Sequence, residues 1–218
     1  SLTTGNSGRP TISSSESVRP RSMPLNAAKS SMTLAATGLG GFVAAHYAKK
    51  CIITDGNDIV CSLLDQNKAH LQTEHVQVAK LLWGLQDEIT NTVGEDLTQS
   101  PDVIIGADVI LWPNQIHALL TTIRWLLARK RNQALCYISY IVRAHTTTQR
   151  LFATAERLGL SIEERPIESF VPEDVHDFDT LEKKLLCIKI KNEVTEEQLL
   201  VDVADELTSQ MDTLSRPC

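Results

Sequence analysis

Strand-like and helical patterns alternate five times along this 218-residue sequence, and two strand-like runs then follow with no helical pattern between them. Strands that alternate with helices form parallel sheets with helices on both faces, because each connecting helix packs back onto the sheet. The closing pair lacks a connecting helix, so we expect the last strand to insert antiparallel. The pattern therefore predicts an α/β fold in a single domain, built on a mostly parallel twisted sheet with an antiparallel last strand.

The predicted strands are short apolar runs rich in β-branched residues, a composition typical of buried strands. They are "CIITD" (51–55), "HVQVAKLLW" (75–83), "PDVIIGADVI" (101–110), "ALCYISYIV" (134–142), "LSIEERPIE" (160–168) and "LEKKLLCIKIK" (181–191). One helix is predicted to begin at Asp58 as its N-cap and to end near His70. Two more follow from apolar spacing, over 116–127 and 146–158, the second ended by Gly159.

Two segments flank the predicted domain, which spans residues 32–192. Residues 1–31 are rich in Ser, Thr, Pro and Gly, and this composition buries too little apolar surface to offset chain entropy. We predict a disordered tail there. Residues 193–218 carry apolar side chains at helical spacing among acidic ones, which predicts an acidic amphipathic helix that docks on the domain or, alternatively, binds a partner.

Charge and cysteine content exclude several classes of site and partner. A net charge of -6 argues against nucleic acid as a partner, since binding to phosphates needs a basic excess. The five cysteines contain no C-x-x-C pair, which argues against a zinc site or a disulfide framework and favours a reducing compartment. No apolar run approaches the ~18 residues of a membrane span. We expect a cytoplasmic protein, with the nucleus as a second location, that binds no metal, nucleic acid or membrane and is a monomer.

Ligands of an open parallel sheet bind at the carboxyl ends of its strands, and four unusual stretches fall there. They are the glycine-rich turn at 34–41, Asp55, the end of the strand at Trp83, and the run from Gly106 to Trp112. Asp55 at a strand tip suits a ribose, because a carboxylate accepts hydrogen bonds from two adjacent hydroxyls. Asp108 interrupts an apolar run, and a carboxylate buried there needs a partner or a role.

Each of these residues also has a purely structural interpretation. The glycines of the turn would serve a tight turn, Asp55 would be a turn or N-cap residue, and Trp83 would pack in the core. The turn departs from the G-x-G-x-x-G spacing of dinucleotide-binding turns, which counts against an NAD-dependent oxidoreductase.

Five motifs, in order and spacing, resemble the seven-strand, S-adenosylmethionine-dependent protein methyltransferases, specifically the methyltransferase-like 21 group of lysine methyltransferases and their relatives. The motifs are "TGLGG", "IITD", "LLWG", "VIIGADVI" and "IVRAHTTTQRLFATAERLGLSIEERPIESF". The resemblance, which covers about residues 34–190, implies a Rossmann-like methyltransferase fold with S-adenosylmethionine as cofactor. It also implies methyl transfer to a protein substrate, on a lysine side chain or, as in some relatives, on an arginine.

The resemblance further implies roles for individual residues. Those of the cofactor site would be Ala36, Thr37, Gly38 and Gly40 under the methionine part, Asp55 at the ribose, Trp83 beside the adenine, and Ala107 near the methyl group. Asp108 would be the catalytic carboxylate, while Leu111 and Trp112 would shape the substrate pocket.

Three departures from the family pattern keep an alternative function open. Thr33 stands where the family has an acidic residue, and the turn is one glycine short. Leu111 stands where an aromatic residue is expected, with Trp112 next to it. A Ser-rich tail replaces the ordered segment ahead of the turn, so we expect a shortened leading part. The alternative is a binding partner that keeps the methyltransferase fold with weak or no activity.

Overall fold

Seven strands form one sheet in the computed structural model, which describes residues 30–34, 38–85, 101–128, 134–166 and 181–191. The strands are β1 (Ser30–Leu34), β2 (Lys50–Asp55), β3 (Val76–Lys80), β4 (Val103–Ala107), β5 (Leu135–Ile141), β6 (Leu160–Arg165) and β7 (Lys183–Ile190). Their order in the sheet is β3-β2-β1-β4-β5-β7-β6. Neighbouring strands from β3 to β5 are parallel, whereas β7 lies antiparallel between β5 and β6. The predicted α/β fold with an antiparallel last strand is confirmed.

Helices connect the strands and divide the core between the two faces of the sheet. They are α1 (Leu39–Ala45), α2 (Asp58–Leu71), α3 (Ile116–Ala128) and α4 (His145–Arg157), with a 3₁₀ turn at Pro113–Gln115 ahead of α3. On β2 the side chains alternate, as a pleated strand requires. Cys51 and Ile53 pack with α1 and α2 in one apolar cluster, while Ile52 joins the larger cluster that contains the buried side of α3. Helices therefore cover both faces, as the sequence predicts.

The start of α2 differs from the prediction by one residue. Asn57, not Asp58, is the N-cap: its backbone is extended and its side-chain oxygen accepts a hydrogen bond of 2.8 Å from the Ile59 N–H. Asp58 already has helical geometry, and its carboxylate pairs with Lys80 at 2.8 Å. Both residue types cap helices well, so composition alone does not separate them.

The central strand β1 begins inside the segment that the sequence assigns to the tail. Ser30 and Ser31 pair with β2, and Ser31 is buried. Two serines give this strand a polar start that resembles the Ser-rich stretch before it. Residues 1–29 and 192–218 lie outside the described residues, so the predicted tail and C-terminal helix stay predictions. Among the described residues, no helix is long and apolar enough to cross a membrane.

Gly41 lets α1 approach β2 closely and provides a test of the packing. A Cβ at this position would lie 2.7 Å from Cγ1 of the buried Ile53. We expect Gly41→Ala to lower the free energy of unfolding in urea by about 1–3 kcal/mol, because the added methyl overpacks the core. Gly40→Ala is the matched control, since a Cβ there meets nothing within 4 Å. Equal stabilities of the two variants would contradict this packing of α1.

Candidate functional site

A cleft of about 510 Å³ opens at the carboxyl ends of β2 and β4. Six residues that the sequence singles out line it together: Asp55, Trp83, Ala107, Asp108, Leu111 and Trp112. They come from three separate stretches of the chain, which the parallel strands bring to one edge of the sheet. The volume lies within the usual range for pockets that bind small molecules and cofactors.

Asp55 is the last residue of β2, and one of its two carboxylate oxygens accepts a hydrogen bond within the protein. Its Oδ1 accepts a hydrogen bond of 2.8 Å from the Asn57 N–H, which closes a turn ahead of α2. Its Oδ2 has no hydrogen-bond partner among the described residues, and the residue lines the cleft. Asp55 thus has both the turn role and an open acceptor position toward the cleft.

The apolar wall of the cleft is anchored to α3 just after Trp83. The Gly84 N–H donates a hydrogen bond of 2.9 Å to Thr122 Oγ1, and a left-handed φ of 88° turns the chain there. Trp83 is half-buried, packs against the large apolar cluster and also lines the cleft. Both interpretations of this residue, as core and as cleft wall, therefore apply. Leu82 beside it is 39% exposed and adds apolar surface to the same wall.

Asp108 adopts an uncommon backbone conformation directly after β4. Its φ is 54°, in the left-handed region that L residues other than Asn and Asp seldom enter. The Asp108 N–H donates a hydrogen bond of 2.9 Å to the Ser139 carbonyl of β5, which continues the pairing of the strands by one residue. The turn away from β4 directs the chain along the cleft, where Asp108 forms part of the lining.

The expectation that Asp108 is buried is wrong, whereas the partner that a carboxylate in an apolar run needs is present. Its side chain is 33% exposed, and both carboxylate oxygens accept hydrogen bonds from Arg143. The Nη1–Oδ1 distance is 2.7 Å and the Nη2–Oδ2 distance is 2.6 Å. This bidentate geometry fixes the plane of the carboxylate. This hydrogen bonding raises the pKa of Arg143 above its ordinary value.

Large apolar side chains form the outer rim of the cleft. Leu111 is 47% exposed and Trp112 is 63% exposed, and both follow Asp108 within four residues. Leu111 occupies the position where the resemblance implies an aromatic residue, and Trp112 stands beside it on the same rim. The exposed indole of Trp112 therefore gives the cleft an aromatic group close to Asp108.

No described residue of the glycine-rich turn lines the cleft. Ala36 and Thr37 lie outside the described residues. Gly38 is buried with a φ of 72° ahead of α1, and neither it nor Gly40 is among the residues that line the cleft. A Cβ at Gly40 would meet no atom of the described residues within 4 Å.

Thr33, which stands where the family has an acidic residue, is fully buried in β1. A Cβ at Gly41 would lie 3.1 Å from Thr33 Oγ1, so the hydroxyl faces α1. Thr33 does not line the cleft.

No cysteine is among the described residues that line the cleft. Burial raises the pKa of the Cys136 thiol far above its ordinary value, which keeps the thiol protonated. Cys51 is also buried, and its pKa is raised for the same reason. Among the described residues, no group of three His, Cys, Asp or Glu side chains is placed to hold a metal ion.

Sequence reasoning missed Arg143, Asn57 and Gln115. Arg143 contacts Asp108, while Asn57 and Gln115 line the cleft. A signal for Arg143 was present, since it comes two residues after β5, the neighbour of β4 in the sheet. The carboxyl ends of neighbouring parallel strands meet at one edge, so a basic residue there falls near the end of β4.

Comparison with known proteins gives one family match and several structural likenesses. A family model described as lysine methyltransferase matches residues 32–157. A protein from Streptococcus mutans, assigned as a methyltransferase and solved in complex with SAH (S-adenosylhomocysteine), superposes with a TM-score of 0.52 at 16% identity, over 74% of this chain and 88% of that one. A protein from Pseudomonas syringae with the same assignment gives 0.50 at 15% identity, over 77% and 90%. At these identities the structures share the fold.

Proposed function

The chain belongs to the lysine methyltransferase family, and we propose that it transfers a methyl group from S-adenosylmethionine to a lysine side chain of a protein substrate. The observation that carries the proposal is the single cleft in which Asp55 and Asp108 stand at the ends of two strands. In this proposal Asp55 binds a ribose hydroxyl and Asp108 binds the acceptor amine.

The residues of the cleft fit this cofactor in chemistry. Asp55 offers Oδ2 as an acceptor for a ribose hydroxyl, Leu82 and Trp83 offer an apolar wall for an adenine, and Gly40 leaves space for a ligand beside the turn. When bound, S-adenosylmethionine supplies its sulfonium methyl group: the amine lone pair forms the N–C bond, and the electrons of the S–C bond stay on sulfur. The complex of the Streptococcus mutans protein with SAH supports a related ligand for this fold.

Asp108 and the rim would act on the acceptor lysine. The carboxylate of Asp108 can accept a hydrogen bond from the amine, orient its lone pair and stabilise the positive charge that develops on nitrogen. Leu111 and Trp112 would cover the aliphatic part of the lysine and exclude water. The proton that the methylated nitrogen loses passes to solvent, since the cleft is open.

Gly40→Ala probes whether the cofactor passes beside the turn. The added methyl meets no atom within 4 Å in the part of the chain that the structure describes, so we expect no loss of stability. We expect affinity for S-adenosylhomocysteine, measured by calorimetry, to fall about tenfold because the methyl intrudes on the ligand. Gly56→Ala does not serve as a control for this variant, since a Cβ at the exposed Gly56 would lie 3.2 Å from Leu82. Unchanged affinity of Gly40→Ala would remove the turn from the site.

The acceptor is tested by labelling a cell extract with the protein and methyl-tritiated S-adenosylmethionine. We expect acid hydrolysis of the labelled proteins to release methyllysines, and Asp108→Asn in a parallel reaction to release about 100-fold less. Label in methylarginine alone would replace lysine by arginine as the acceptor. Absence of label with wild-type protein that binds S-adenosylhomocysteine would contradict turnover.

A binding partner without turnover is the second candidate, and Thr33 favours it. The side chain at this position is an alcohol buried under α1, so β1 carries no carboxylate there for the methionine amino group. If this candidate is correct, the cleft binds a ligand of the size of the cofactor, and no protein of the extract becomes labelled.

A further inference from the structure

Arg143 contacts Asp108 and is not among the residues that line the cleft. It follows β5, and Asp108 follows β4, its parallel neighbour in the sheet, with Ala107 opposite Ser139. The guanidinium donates one hydrogen bond to each carboxylate oxygen, at 2.7 and 2.6 Å. Asp108 lines the cleft whereas Arg143 does not, so the arginine contacts the site through Asp108.

The charge of Asp108 stabilises a positive nitrogen in the transition state, but it also stabilises the bound ammonium, which cannot react. An isolated carboxylate attracts the protonated ammonium and favours that form, because opposite charges stabilise each other. The ammonium has no lone pair and cannot accept a methyl group. A carboxylate whose charge is offset by a guanidinium attracts the ammonium less but can still accept a hydrogen bond from the neutral amine, since each oxygen has a second lone pair.

We propose that Arg143 is a positioning residue that fixes the Asp108 carboxylate and offsets its charge, so that the acceptor lysine enters as the neutral amine. The inference rests on the proposed function. The Arg143–Asp108 pair lies at the edge of the cleft, where Asp108 is 33% exposed. The acceptor can therefore reach the carboxylate while Arg143 holds the carboxylate plane.

Other ionisable residues among those described lie near Asp108 or Arg143, and Lys183 is one of them, opposite Ile141 in the pairing of β7 with β5. Asp55, at the end of β2, lines the same cleft and adds a negative charge. Tyr140 of β5 is buried, and its hydroxyl lies 2.9 Å from Thr148 Oγ1. His145 begins α4 two residues after Arg143 and is exposed. The Arg143 guanidinium donates to both oxygens of Asp108, so it supplies the charge offset that the proposal needs.

The test measures binding of n-butylammonium, a mimic of the lysine side chain, to protein saturated with S-adenosylhomocysteine. With Arg143→Gln, we expect the ammonium to bind about fivefold more tightly than to wild type, by NMR titration at neutral pH, because the carboxylate loses its cation. We expect the same variant to label extract proteins at least about tenfold more slowly. A role in folding alone would lower both quantities, so the opposite directions identify the proposed role.

Two further variants complete the design. Arg143→Lys keeps the positive charge but loses the bidentate geometry. Its affinity for the ammonium should therefore match wild type, and its labelling rate should lie between those of Arg143→Gln and wild type. Arg165→Gln is the matched control, since Arg165 is an exposed arginine that pairs with Glu163 on β6 at 3.2 Å. Both of its readouts should equal wild type. If Arg143→Gln does not fold, the test uses Arg143→Lys alone. We then expect this variant to label proteins more slowly than wild type and to bind the ammonium with wild-type affinity.

Failure of this inference is separable from failure of the proposed function. Wild-type protein that binds no S-adenosylhomocysteine would overturn the proposed function. A different result would overturn only the role of Arg143. In that result, wild type and Arg143→Gln bind S-adenosylhomocysteine equally, and the variant binds n-butylammonium as tightly as wild type or more weakly.

Discussion

Replacement of Asp55 by Asn is expected to weaken binding of S-adenosylhomocysteine about 10- to 100-fold, the loss that follows when a hydrogen bond to a charged group is removed. The amide oxygen of Asn can still accept from the Asn57 N–H, which now makes a 2.8 Å hydrogen bond to Oδ1, so the turn is preserved. The second acceptor oxygen toward the cleft becomes a donor and no longer suits the ribose hydroxyls.

The matched control for this variant is Asp58→Asn. Asp58 is an aspartate three residues away that pairs with Lys80 and does not line the cleft. We expect its affinity for S-adenosylhomocysteine, measured in the same calorimetric titration, to equal that of wild type. Equal affinities of all three proteins would remove Asp55 from the ligand site and leave it only the turn role.

The second large effect is expected for Asp108→Asn, which should lower the rate of protein labelling about 100-fold. The loss has two sources: the amide stabilises a positive nitrogen poorly, and its NH₂ group cannot accept the second hydrogen bond from Arg143. The proposal assigns Asp108 to the acceptor amine, so affinity for S-adenosylhomocysteine should stay at the wild-type value.

Rate and affinity together separate a catalytic Asp108 from a structural one. The thermal midpoint of Asp108→Asn should remain close to wild type, because the ion pair with Arg143 is exposed and such pairs contribute little to stability. A wild-type labelling rate in this variant would contradict the role of Asp108, whatever its affinity for the ligand.

The fold follows from periodicity because most of its elements carry strong patterns. Helix α3 shows an apolar stripe, and the run at 181–191 follows another strand without a helix between, which is how the antiparallel β7 is predicted. Strand β1 carries no comparable signal. Its residues Ser31 and Thr33 are buried between β2 and β4, where pairing on both sides satisfies the backbone and overrides the polar composition.

The site is predictable to the extent that strand ends determine it. Asp55, Trp83 and Asp108 reach one cleft because parallel strands place their carboxyl ends at one edge, a rule that needs no side-chain information. Contacts between side chains are another matter. The sequence does not specify that Arg143 reaches Asp108, because the conformers of two exposed side chains and the register of β4 against β5 decide it.

The central claim is that this cleft holds S-adenosylmethionine and presents its methyl group to a lysine. Calorimetric titration of S-adenosylhomocysteine into the wild-type protein tests it most directly, because the demethylated product binds without turnover or a protein substrate. We predict one binding site with a dissociation constant on the order of 1–10 μM. Absence of heat at a protein concentration of about 100 μM, with the protein folded by circular dichroism, would contradict the claim.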